Sequence, residues 1–300
     1  MRLIFKTVIR NFIRRPVTNL INLFGLSVSL TIVIILAVYS FSELTTDNFH
    51  ENVNEVFLLR KNVDAIYTPG ILAETIRGKI PGLRSVVRLT AEWEPVVFQI
   101  EGKEALASDL AYADKEFFNL FSYYPLEGDL FSALNEPLSL VISENLSLKL
   151  FGDESAIGQS VKFNNDKIFT VTAVFKEQSK NTCLRFNALT SIETIKIMHP
   201  EPGQFTEWGW NNFQTFLFLE KNQDENNIIR SLTQFIPETR DERKRYSDAS
   251  LIPLREIYFS KLWVFNSYMV FGNLNKTVTL LLVAILVLII ALVNFINISS

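Results

Sequence analysis

The chain is poor in the residues that carry chemistry. Among its 300 residues are one cysteine, Cys183, and two histidines, His50 and His199. A lone cysteine forms no intrachain disulfide, and Cys183 does not follow a signal sequence as a lipid anchor would, so a small buried residue is expected. The histidines lie on unrelated segments, and neither an H-E-x-x-H nor a paired C-x-x-C pattern occurs, so no metal centre is read. No G-x-x-x-x-G-K-[ST] loop is present to cradle nucleotide phosphates. Glu92 and Glu94 flank Trp93 and would share one face of a strand, as surface carboxylates commonly do. Trp208 and Trp210, in EWGWNNF, read as packing at a strand entry, with contact to a ligand as the lesser alternative. The sequon Asn145-Leu146-Ser147 falls inside an expected helix. The chain is therefore read as no enzyme: no catalytic, cofactor-binding or metal residue is assigned, no cofactor is expected, and substrate-binding residues are unknown.

Charge is missing from two long runs, and this absence is informative. Val17 to Phe41 and Val278 to Ile298 contain no charged side chain. About 20 apolar residues in a helix cover the ~30 Å hydrocarbon layer. A helix also satisfies its own backbone hydrogen bonds, which lipid cannot do. The first run is far longer than the roughly 7–15 residues of a signal-peptide core, and no A-x-A-like site follows, so an uncleaved anchor is expected.

The charges that remain are asymmetric. Arg2, Lys6, Arg10, Arg14 and Arg15 precede the first run without one acidic neighbour, whereas Glu43, Asp47 and Glu51 follow it. The positive-inside rule then places the N-terminus in the cytoplasm and the central segment outside. All 32 acidic residues lie between Glu43 and Glu256, against 23 basic ones once the N-terminal five and Lys276 are set aside, a net charge of −9. A domain so acidic is no nucleic-acid binder.

Along the chain, residues 1–16 form a basic segment with Ile4, Phe5, Val8, Ile9 and Phe12 on one helical face, suited to an anionic membrane surface. Residues 17–41 are the first span, 42–275 the outer domain and 276–300 the second span. In the outer domain, strands are expected at Glu55–Lys61, Ser85–Leu89, Val96–Ile100, Lys167–Phe175 and Gln214–Leu219. Helices are expected at Pro69–Ile80, capped by Thr68 and stopped by Pro81-Gly82, and at Lys115–Phe121, Ser143–Phe151 and Asp224–Ile236. The fold class is thus a membrane protein with two transmembrane helices flanking an α+β extracytoplasmic domain of two subdomains. On the first span Gly25 and Ser29 have a small-xxx-small spacing, which lets another helix approach closely. This face meets the span of a second copy, or it merely faces lipid or the second span.

Several ordered blocks extend this reading: FKTVIRNFIRRPVTNLINLFGLSVS, FFNLFSYYPLEGD, PLSLVISENLSLKLFGDESAIGQSV, FTVTAVFKE, LRFNALTS, WGWNNFQTFLFLE, LIPLREIYFS and ALVNFINISS. Together they resemble the N-terminal portion of a MacB/FtsX-type ABC transporter permease. The resemblance covers the first span, a MacB-like periplasmic core domain over 42–275 and the start of an FtsX-like transmembrane region. Within it Gly128, Asp129, Ser143, Glu144 and Gly158 read as fold determinants. The resemblance implies a multi-pass protein of the bacterial inner membrane that pairs with a partner ABC ATPase, which binds the ATP. It also implies homo- or heterodimers of permeases and a possible periplasmic partner, in export, efflux or periplasmic mechanotransmission. Such permeases have four spans per unit, so a chain ending at Ser300 is expected to be a fragment or a truncated reading frame. The alternative is a two-span sensor with an outer ligand-binding domain and a signalling module beyond the second span.

Overall fold

The computed structural model describes residues 16–62, 65–100, 106–163, 167–176, 181–239, 244–262, 264 and 268–299. The basic segment expected at 1–16 lies outside them except for Pro16. The chain divides into two compact units, one holding the two long apolar helices and the other spanning Thr46–Gly272.

Helix α1 runs Pro16–Leu44. The last helix runs Leu274–Ser299. Their apolar stretches, Leu20–Leu44 and Leu274–Ile296, have mean hydropathies of 2.5 and 3.1 and are long enough to cross a membrane. The two helices pack together. Ser40 is fully buried there and donates to the Thr277 carbonyl at 3.4 Å. Hydroxyls elsewhere on α1 turn back onto the helix: Ser27 donates to the Leu23 carbonyl at 2.7 Å and Thr31 to the Ser27 carbonyl at 2.8 Å. Each is satisfied without water, as a hydrocarbon environment requires. Gly25 and Ser29 line a groove of about 480 Å³ together with Asn22, Ile290 and Asn294. The small face of the first helix therefore borders the second helix of the same chain.

Among the described residues of the outer unit thirteen strands join one mixed sheet, in the order β13-β1-β12-β3-β6-β11-β8-β10-β9-β4-β5, with β2 on β12 and β7 on β10. The strands are β1 Val56–Arg60, β2 Tyr67–Pro69, β3 Leu83–Ala91, β4 Val96–Gln99, β5 Leu106–Ser108, β6 Leu110–Ala113, β7 Pro125–Gly128, β8 Ser139–Ser143, β9 Ser160–Phe163, β10 Lys167–Phe175, β11 Ala188–Ser191, β12 Asn211–Leu219 and β13 Ser250–Pro253. The two subdomains expected from the sequence are thus joined, because β6 pairs antiparallel with β3 and parallel with β11. Strand β10 (KIFTVTAVF) buries Phe169, Val171 and Ala173 and leaves Ile168 exposed, the alternation of a half-covered strand. Strand β12 is buried along most of its length, because β1 and β3 flank it and both its faces are covered.

The helices follow local chemistry. Helix α2 (Gly70–Ile76) is shorter than expected, and its cap is Pro69 rather than Thr68. Thr68 lies in β2 and bonds to the Phe213 carbonyl and to Thr215 Oγ1, so sheet pairing outcompetes capping. The helix stops at Arg77, ahead of Pro81-Gly82. Helix α3 is a single turn, Phe117–Leu120. In helix α4 (Glu144–Phe151), Ser143 Oγ accepts the Leu146 N–H at 3.3 Å, and Gly152, with φ of 69°, closes the other end. Helix α5 is Ile195–Met198, α6 is Glu225–Thr233 with Asp224 as its cap, α7 is Leu254–Ile257 and α8 is Leu274–Ser299. Gly128, with φ of 74°, ends β7 where an added Cβ would meet the Thr172 carbonyl at 2.4 Å. Glycine is required there both for the left-handed turn and for the close strand approach.

Candidate functional site

A cleft of about 440 Å³ opens in the outer unit, where the end of β3 and the start of β12 meet the 192–210 segment. Glu92 stands in it one residue past β3, held by a backbone bond from its N–H to the Leu110 carbonyl at 3.0 Å. Its carboxylate collects two donors on one oxygen. His199 Nε2 lies 2.9 Å from Oε1, so the ring carries its hydrogen on Nε2 when neutral, and the Tyr112 hydroxyl donates to the same oxygen. Burial, with the charge of Glu92 beside it, pushes the Tyr112 phenol far up, so that it stays protonated and donates. Trp93, Trp210 and Tyr67 supply aromatic surface, and Gln204, Asn211 and Asn212 supply polar groups.

The sequence reading did not anticipate this grouping. In the sequence Glu92, His199 and Trp210 lie on separate segments, and Trp210 reads as strand-entry packing ahead of a ligand contact; the fold brings all three to one cleft. Trp208 does pack, against the apolar cluster of Leu72, Ile76 and Leu217. Glu94 is exposed and outside the cleft lining. No local signal could have joined Glu92 to His199, which are 107 residues apart in sequence. Among the described residues no three His, Cys, Asp or Glu side chains converge as a metal ion would need.

The other histidine occupies a second, buried cluster. Asp47 accepts the Thr182 hydroxyl at 2.8 Å and the Cys183 N–H at 3.1 and 3.2 Å. His50 Nδ1 accepts the Ser122 N–H at 3.0 Å, so its hydrogen sits on Nε2, 3.8 Å from Asp47 Oδ1. Phe49, Phe121 and Tyr123 surround the ring. Burial holds Asp47 above the usual carboxylate range against these hydrogen bonds, and pushes the Cys183 thiol well up, where it is unreactive. The cluster ties together the segments around Asp47, Ser122 and Thr182, and it offers no exposed reactive atom.

Burial also lowers His50 from 6.5 to about 4. Between those values the unfolded chain binds a proton that the folded chain does not, so stability is present above pH 6.5 and lost as pH falls toward 4. A gap of this size amounts to about 3 kcal/mol. Asp47, shifted upward, has the opposite sign and offsets part of the loss. In His50→Asn the amide oxygen can replace Nδ1 as acceptor. Urea midpoints at pH 7.5, 5.5 and 4.5 should then fall less steeply than in the parent. Parallel curves would show that another group sets the acid sensitivity.

Residues 20–235 match the family model described as MacB-like periplasmic core domain. The chain belongs to this family. The structure resembles a domain of a candidate permease protein from Porphyromonas gingivalis, at 18% identity and a TM-score of 0.57, covering 77% of this chain and 99% of that one. It also resembles the periplasmic region of MacB from Actinobacillus actinomycetemcomitans, at 14% identity and a TM-score of 0.51, covering 69% and 94%. At such identities the likeness is one of fold. A search of curated proteins found no match. The MacB-like domain thus lies outside the cytoplasm, between two apolar helices of a membrane protein. Within it the block around Ser143 and Gly152 builds α4 and its two caps, and Gly128 closes β7 onto β10. The Glu92 cleft belongs to the same MacB-like domain, and its lining residues lie within the matched 20–235.

Proposed function

We propose that the chain serves as a permease subunit, or part of one, of an ABC transporter whose ATPase is a separate partner. The observation that carries this is the placement of a MacB-like domain between two apolar helices that pack together. An outer domain anchored at both its ends responds to any displacement of the helix pair. In this reading ATP-driven closure of the ATPase on the cytoplasmic side moves the spans, and the spans move the outer domain. The work is export or transmission of force to a periplasmic partner, and permeases act in pairs. The MacB-like assignment favours this over a two-span sensor.

The reading requires the basic N-terminus to be cytoplasmic. A phosphatase reporter that is active only outside the cytoplasm should be active when fused after Leu150 and inactive when fused after Arg15. The reverse pattern would remove both the orientation and the coupling scheme. Co-purification with an ABC ATPase co-expressed from a neighbouring reading frame is the direct check on the partner.

A further inference from the structure

The Glu92 cleft has a composition that selects by charge. Among the described residues its lining holds two carboxylates, Glu92 and Glu201, and one imidazole, and no lysine or arginine. Lys61 comes near but lies behind the wall, 5% exposed, with its Nζ bonded to Asn211 Oδ1 at 2.5 Å. An anionic ligand would therefore meet two carboxylates at the cleft surface.

Glu92 is the sharper feature. Its side chain is 14% exposed, and both protein donors reach Oε1, leaving Oε2 without a hydrogen-bond partner among the described residues. A carboxylate with so little exposure gains from a cation beside it, since the Tyr112 phenol is neutral and the His199 imidazole supplies a counter-charge only when protonated. Beside it stand Trp93, 68% exposed, and Trp210. Large aromatic faces next to a carboxylate attract cations through the ring quadrupole and bury hydrocarbon at the same time. The outer domain's net charge of −9 raises the local concentration of cations around it.

We propose that this cleft binds an organic cation with an apolar body, its charge against Glu92 and its hydrocarbon against Trp93 and Trp210. The cleft volume suits a small molecule. The assignment rests on the cleft and not on the transport scheme, so binding is measured without an ATPase and stands or falls separately.

The test uses the full chain in a non-ionic detergent, titrated by calorimetry at constant ionic strength. The probe is benzyltrimethylammonium, with benzyl alcohol and benzoate as its neutral and anionic counterparts. The cation should bind saturably and at least tenfold more tightly than the alcohol, and benzoate should not bind. Glu92→Gln, which keeps the shape of the side chain, should weaken the cation tenfold or more. Trp93→Ala should weaken it several-fold, and it decides the matter if Glu92→Gln loses its thermal transition, because Trp93 is largely exposed and its loss spares the core. No saturable cation binding, equal affinity for the alcohol, binding of benzoate, or an unchanged Kd in the deciding variant would each overturn the proposal.

Discussion

Arg88→Ala should destabilise the outer domain by about 3–5 kcal/mol, the usual cost of stranding one member of a buried ion pair. Arg88 is 2% exposed on β3. Its Nε and Nη2 reach Asp114 Oδ2 and Oδ1 at 3.0 and 2.7 Å, while Nη1 donates to the Gly70 carbonyl and Nη2 to Glu74 Oε1, each at 3.0 Å. Phe205 and Phe213 lie against the guanidinium at 5.4 and 6.0 Å. One side chain thus ties the start of α2 to the end of β6. Removing it leaves Asp114, 5% exposed, with the Arg88 N–H and the half-exposed Arg77, whose Nη2 lies 3.5 Å from Oδ2. A melting temperature followed by near-ultraviolet circular dichroism should drop by on the order of 10 °C. The paired change Arg88→Met with Asp114→Leu strands no charge and should cost less than Arg88→Ala alone. If the pair costs more, the cluster holds the domain by packing and not by charge.

The second large effect is expected at Phe175, whose replacement by alanine should cost about 3–5 kcal/mol, as for other buried aromatics cut to a methyl group. Phe175 closes β10 at 2% exposure. Its ring is edge-on to Tyr123 at 5.3 Å and lies 6.0 Å from Phe186. Those rings in turn meet Phe117, at 5.7 and 5.8 Å. A hole at Phe175 therefore opens in the middle of an aromatic cluster whose rigid neighbours collapse poorly. Phe175→Leu refills most of the volume and should recover more than half of the loss in a urea titration. A near-zero cost for Phe175→Ala would mean that the cluster is loosely packed.

Some features were legible because they depend on local chemistry repeated along one segment. Two charge-free runs longer than a bilayer is thick read as spans, and the helices α1 and α8, long and apolar enough to cross a membrane, occupy them. Strand β10 lies where strict alternation put it, and α4 begins after the serine and ends before the glycine that local capping rules name. The ordered blocks pointed to the MacB-like family, which the match over 20–235 shows. Short strands such as β2, β6 and β11 carry too few residues to display a period, and they exist because their partners do. Thr68 shows the same competition from the other side: a good helix cap in isolation, it is taken by β12.

The sequence by itself therefore determined that the chain enters the membrane twice, that the acidic part between is a separate folded unit, and which family that unit belongs to. The first two follow from hydrophobicity and charge, which act within a few residues, and the family follows from the resemblance of the ordered blocks along the chain. Only the tertiary structure decided that one sheet runs through the whole outer domain, that Gly25 and Ser29 border the second helix, and that Glu92, Tyr112 and His199 share a cleft. These depend on contacts between residues far apart in the chain, whose energy arises from packing and strand pairing and leaves no mark on the local pattern.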